Sequence, residues 1–83
     1  MTSPTRDEIL SNLRRIAPQH IAIDPETLKP EARLADIGID SFALIELIFV
    51  VEEKFNIRIP LEGITAETVD DVVSVVERRL ACR

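Results

Sequence analysis

Tryptophan and tyrosine are absent from this 83-residue chain, and three phenylalanines are its only aromatic residues. A core built from it has to be mostly Ile, Leu and Val. The single cysteine, Cys82, cannot close an internal disulfide, which fits a reducing compartment. Cys82 itself reads as an incidental thiol. The single histidine, His20, has no Cys or second His nearby, so a surface or hydrogen-bonded loop histidine is expected there and no metal site. Two glycines are too few for a phosphate-cradling run. No basic-then-apolar leader opens the chain and no apolar run approaches spanning length, so the expectation is a cytoplasmic protein with no membrane span. Internal repeats and low-complexity tracts are not evident. Nor is a Ser/His/Asp set, because His20 lies in a different loop from the serine discussed below. A small helical domain also offers no obvious cleft in which to desolvate a pair of carboxylates. An enzyme is therefore not expected.

What is present is a single domain's worth of chain, residues 1–83, with 46% apolar residues. A chain this short buries only ~60% of the surface its unfolded form exposes. The net charge is −5, and it is unevenly spread. Residues 31–71 hold ten acids against Arg33, Lys54 and Arg58, which nets −7 there and +2 elsewhere. An acidic middle argues against nucleic acid, which needs a basic footprint. It favours partners with basic docking surfaces through electrostatic steering, or it serves only as a solvated surface.

The chain punctuates itself clearly. Thr5-Arg6-Asp7-Glu8 reads as a capping box, with Ser3-Pro4 offering an alternative start. Ile9, Leu10, Leu13 and Ile16 follow at helical spacing. This predicts an amphipathic helix ending near Ala17-Pro18, with Arg6, Arg14 and Arg15 on its outer face. Residues 18–39 have no sustained period and carry Pro18, Pro25 and Pro30. A loop this long is unusual in a compact domain. Ile21, Ile23, Leu28, Leu34 and Ile37 are expected to tack it onto the core, with one helical turn at Pro25-Glu26-Thr27-Leu28.

A second helix is predicted over 41–55. Asp40 is a good N-cap, Ser41 takes the first helical position with its hydroxyl near solvent, and Gly38 allows a sharp turn before the cap. Leu44, Leu47, Ile48, Val51 and Phe55 make a core stripe, while Phe42, Ile45 and Phe49 make another on a different face. Either loop 18–39 covers this second stripe or another protein does. After the helix, Ile57 and Ile59 alternate with Arg58 as in a strand, but no second strand is available to pair. Leu61 and Ile64 bracket a possible short helix that Gly63 weakens. Thr68-Val69-Asp70-Asp71 reads as the start of a last helix, with Val69, Val72, Val73, Val76 and Leu80 at helical spacing.

A helix N-terminus carries free N–H donors and partial positive charge, so it suits an attached phosphate. Asp40-Ser41, preceded by Asp36-Ile37-Gly38-Ile39, resembles the phosphopantetheine attachment motif of acyl carrier proteins. Glu46, Glu52-Glu53, Phe55 and Ile59-Pro60 sit at offsets from Ser41 similar to those of bacterial fatty-acid carriers. The resemblance covers nearly the whole chain. It implies an all-α fold, a four-helix bundle with three longer helices, one short helix and a long first loop. It implies 4'-phosphopantetheine joined to Ser41 by a phosphopantetheinyl transferase, with Asp40 and Gly38 completing the motif. It also implies acyl groups held as thioesters and presented to acyl-loading, transferring or condensing enzymes with basic docking surfaces. Docking would involve Phe42, Ile45, Glu46, Phe49, Glu52 and Glu53; Leu44, Val51 and Ile59 would line an acyl cavity, and a monomer is expected. Departures from the family pattern are Phe42 where Leu is usual, Ala43 where an acid is common, and Phe49 where Met is frequent, which suggests a specialised bacterial carrier. Phe42 to Glu62 is also similar to the carrier of very long hydroxy acids for lipid A in alpha-proteobacteria, which has a longer C-terminal part. Two other readings stand beside this one. A peptidyl carrier generally has a second glycine where Ile39 stands, and an interaction module with the same fold would lack the arm.

Overall fold

A computed structural model of the chain describes residues 4–60 and 66–81. They form three α-helices in sequence: α1 (Arg6–His20), α2 (Ser41–Phe55) and α3 (Val69–Ala81). Two short 3-10 turns, Pro25–Thr27 and Leu34–Ile37, lie in the first loop. Among the described residues there is no strand, only an isolated antiparallel bridge between Arg33 and Thr68. The architecture is all-helical, as the periodicity predicts. The expected short helix over 61–64, and Cys82, lie outside the described residues.

The helix starts follow from local chemistry. At α1 the capping box closes: the Glu8 N–H donates to the Thr5 hydroxyl at 3.2 Å, and the Thr5 N–H donates back to the Glu8 carboxylate at 3.5 Å. At α3 the Asp71 N–H donates to the Thr68 hydroxyl, and the Asp71 carboxylate accepts from the N–H groups of Glu67 and Thr68. Those two backbone bonds, Glu67 first, hold the Asp71 carboxyl below its ordinary value of 3.8.

The end of α1 is a correction. The helix does not stop at Ala17-Pro18 but continues through Pro18 to His20. Proline's fixed φ suits a helix, and the N–H it lacks is missing only from the final turn. The Ile21 N–H then closes that turn on the Ala17 carbonyl at 2.9 Å. A second correction concerns the arginines. Arg6 and Arg14 are not simply outward. Arg6 donates to Glu77 at 2.7 Å and to Asp70, tying α1 to α3. Glu77, then Asp70, raise the Arg6 pKa above its usual range. Arg14 Nε donates to the Leu28 carbonyl at 2.9 Å, so α1 also holds the first loop. Arg15 alone of the three is exposed.

Packing centres on α1, which lies against both other helices. Ile9 and Leu13 meet Ile48, Val51, Val72 and Val76 in a single buried cluster. Each such side chain contributes roughly 1.5–3 kcal/mol by leaving water. The first loop is ordered by the same core: Leu28 and Leu34 are buried, and Ile21, Ile23 and Ile37 pack against it half-buried. Ile39 is buried too, at 4% exposure, although the sequence marks it only as part of a turn. Backbone bonds add to this. Leu34 N–H donates to Glu67 O at 2.8 Å, Val69 N–H to Ala32 O and Asp70 N–H to Pro30 O, both at 3.0 Å. Ile57 and Ile59 are buried without a strand, which their alternation alone suggested.

Candidate functional site

The turn that delivers Ser41 is built from three consecutive devices. The 3-10 turn Leu34–Ile37 ends at Gly38, whose φ of 85° lies in the left-handed region. A side chain there would be strained by the backbone alone, since no atom lies within 4 Å of the position a Cβ would take. Ile39 then drops into the core, and its N–H donates to the Leu34 carbonyl at 2.9 Å. Asp40 follows in an extended conformation as the N-cap of α2; its carboxylate accepts from the Ala43 N–H at 2.9 Å. With Ile39 buried behind it and Asp40 held in the cap, Ser41 stands exposed at the first position of α2.

The Asp40 carboxylate already caps the N-terminus of α2, and the first turn that follows adds no second acid. Ser41 also borders a groove of about 620 Å³. Leu34, Ile39 and Leu44 form its apolar walls, and Arg33, Asp36 and Glu67 contribute charged side chains. The site therefore joins an exposed serine, the capped N-terminus of α2 and an adjacent groove with apolar and charged lining.

The other residues expected at the site fall into separate groups. Leu44 lines the groove, whereas Val51 and Ile59 are buried in the core cluster. Phe42, Ile45 and Phe49 are exposed at 69%, 39% and 54%, so loop 18–39 does not cover that stripe. Glu53 is exposed and Glu46 half-buried beside them. Glu52 is engaged elsewhere: its carboxylate accepts from the Ile59 N–H at 2.6 Å. Leu34 and Ile39 as groove walls are absent from the sequence reading, which treats Leu34 only as an anchor. Their role depends on the chain reversal at Gly38, and apolar residues in a loop give no sign of which wall they face. Among the described residues no group of three or more His, Cys, Asp or Glu is arranged to hold a metal ion, and no helix is long and apolar enough to cross a membrane.

Known proteins bear on this geometry directly. The family profile described as "Phosphopantetheine attachment site" matches residues 11–76. The acyl carrier protein of Thermosynechococcus vestitus is 36% identical over 78 residues, covering 92% of this chain and 96% of that one. The acyl carrier protein of Wolinella succinogenes is 37% identical over 71 residues, covering 83% and 93%. A segment of 56 residues is 43% identical to the acyl carrier protein AcpXL of Rhizobium meliloti, covering 66% of this chain and 59% of that one.

Proposed function

This chain belongs to the acyl carrier proteins of the phosphopantetheine-attachment family, and on that premise we propose that Ser41 is the residue that bears the arm. The family's role is to carry acyl groups, and its cofactor is 4'-phosphopantetheine. The observation that supports Ser41 is its exposed hydroxyl at the start of α2, beside an apolar-walled groove.

The chain supplies position, not activation. Ser41 Oγ bonds to the phosphorus of coenzyme A's phosphopantetheinyl half and the nucleotide half leaves; the base that takes the hydroxyl proton and the Mg²⁺ belong to the transferase. Asp40 is occupied as a cap by the Ala43 N–H, which leaves it an orienting role. The α2 N-terminus then favours the phosphodiester charge. When bound, the arm supplies a terminal thiol that holds the acyl group as a thioester. Leu44 offers apolar surface to whatever lies in the groove, with the buried Leu34 and Ile39 packed behind. Tethering raises the effective concentration of the acyl group at each partner enzyme.

In finer detail the chain is a carrier bundle of the four-helix type, forming one domain over 1–83. It acts as a cytoplasmic monomer, catalyses nothing itself and is a substrate of a phosphopantetheinyl transferase. Partners read the exposed face of α2, from Phe42, Ile45 and Phe49 to the acids Glu46 and Glu53. Glu52 contributes to that face only through the part of its carboxylate not used by Ile59.

The test is incubation with coenzyme A, Mg²⁺ and a broad-range phosphopantetheinyl transferase, read by intact mass. The expected result is a gain of one phosphopantetheinyl group, mapped to Ser41 by fragmentation and absent in Ser41→Ala. An unchanged mass with several transferases overturns the assignment and leaves an interaction module of the same fold.

A further inference from the structure

Four residues of α2 form an ordered row that the carrier reading alone does not explain. Phe42, Glu46, Phe49 and Glu53 stand at i, i+4, i+7 and i+11. At 3.6 residues per turn they share one face, about 60° wide, and alternate aromatic ring with carboxylate. Both rings are exposed, at 69% and 54%, and Ile45 flanks them on the apolar side. Among the described residues the ion pairs engage Asp70, Glu77 and Glu67, so neither Glu46 nor Glu53 is paired with a cation of this chain.

We propose that this row is an arginine-reading surface: each Phe is a stacking platform for a partner's guanidinium, and the Glu one turn further on accepts its hydrogen bonds. The proposal rests on the carrier reading of α2 and names the chemistry of the partner that fits it. An apolar contact alone would be served as well by Leu, and a charge contact alone would not need rings between the acids. The combination suits arginine. Its planar, weakly hydrated guanidinium stacks on an aromatic face and bonds a carboxylate with its edge, whereas lysine's ammonium is a strongly hydrated point charge. The rise of α2 sets the partner's spacing. Glu46 and Glu53 are separated by seven residues, about 10 Å, so the fitting surface is a protein carrying two arginines about that far apart with an apolar patch between them.

The probe is a pair of helical peptides, one with Arg at positions i and i+7 and Leu between, the other with Lys in place of Arg. Binding to the intact chain is followed by NMR. The aromatic spectrum is sparse, since Phe55 is the only other ring besides His20, and Phe55 serves as an internal control. The arginine peptide should shift the Phe42 and Phe49 ring signals, leave Phe55 in place, and bind more tightly than the lysine peptide. The F42L/F49L variant keeps bulk and apolarity but removes both rings. It should melt as the parent does, bind the arginine peptide about fivefold or more weakly, and lose the preference for arginine. The E46Q/E53Q variant should weaken both peptides. Equal affinity for the two peptides, a preference that survives in F42L/F49L, or no ring shift with either peptide overturns the proposal. So does a ring shift that depends on protein concentration alone, which would mean that a second copy covers the row. Loading of Ser41, measured by mass on the same samples, is independent of all these outcomes. A failed row with successful loading therefore removes the arginine reading and leaves the carrier assignment intact.

Discussion

The Glu52 carboxylate accepts a hydrogen bond from the Ile59 backbone N–H at 2.6 Å, across the end of α2. Seven residues separate the two, and between them the chain leaves the helix through Asn56, which adopts a left-handed conformation at φ 55°. The bond fixes where the segment goes next, and Ile57 and Ile59 are thereby set into the core. An acid that sequence position places among partner contacts thus holds the fold.

This relationship separates two roles by mutation. Glu52→Ala leaves the partly buried Ile59 N–H without its acceptor, and should cost about 1–3 kcal/mol in chemical denaturation. Glu52→Gln keeps an acceptor oxygen and should cost less. A carboxylate read mainly by partners would behave in the opposite way, with both variants near the parent in stability and both impaired in partner turnover.

Asp71 gives the fold a defined acid response. Its folded pKa lies below 3.8 because the Glu67 and Thr68 N–H groups favour the charged form. A depressed carboxyl pKa contributes stability that is complete above the unfolded value and is lost as pH falls through the folded one. The parent should therefore lose melting temperature as pH drops below 3.8, and Asp71→Asn should show a shallower fall over the same window. Parallel curves for the two proteins would mean that Asp71 does not set this response.

The parts legible in the sequence are those decided by neighbours along the chain. Caps are local chemistry, and Thr5, Asp40 and Thr68 mark the starts of α1, α2 and α3 correctly. The interior faces of α1 and α3 follow from spacing alone. The first loop is legible only as anchors. Backbone bonds between distant positions, such as Leu34 N–H to Glu67 O, also order it, and no side-chain pattern records them. The same limit hides the ties made by Arg6 and Arg14. A polar residue off the apolar stripe looks solvated in sequence whether or not it meets Glu77 or the Leu28 carbonyl. At the site, Ser41 and its cap are readable, but the groove walls Leu34 and Ile39 depend on the reversal at Gly38.

That reversal can be probed directly. A Cβ at residue 38 would meet no atom within 4 Å, so Gly38→Ala should be penalised by backbone conformation alone, about 1–2 kcal/mol. Asn tolerates the left-handed region better than Ala, so Gly38→Asn should recover part of that loss despite its larger size. Equilibrium denaturation of the two variants decides the cause. If Asn proves worse than Ala, crowding and not φ governs the position.

The exposed stripe of α2 makes the sharpest contrast with its buried side. Ile48, exposed at 1%, lies in the core, while Phe42 and Phe49 on the same helix are exposed at 69% and 54%. Burial, not side-chain size, should set the cost of truncation. Ile48→Ala removes buried methyl groups and leaves a cavity, so a loss of about 2–5 kcal/mol is expected. Phe42→Ala and Phe49→Ala delete more atoms but vacate solvent, and each should stay within about 0.5 kcal/mol of the parent. Partner turnover should show the reverse order, since exposed aromatics beside carboxylates are frequent centres of binding energy. Denaturation curves paired with turnover by a partner enzyme separate the two effects. Losses near the ~3–5 kcal/mol typical of a buried Phe truncated to Ala would place that ring under cover in solution. Full stability with full turnover would instead leave the rings without a binding role, and recognition of α2 would then fall to Glu46 and Glu53.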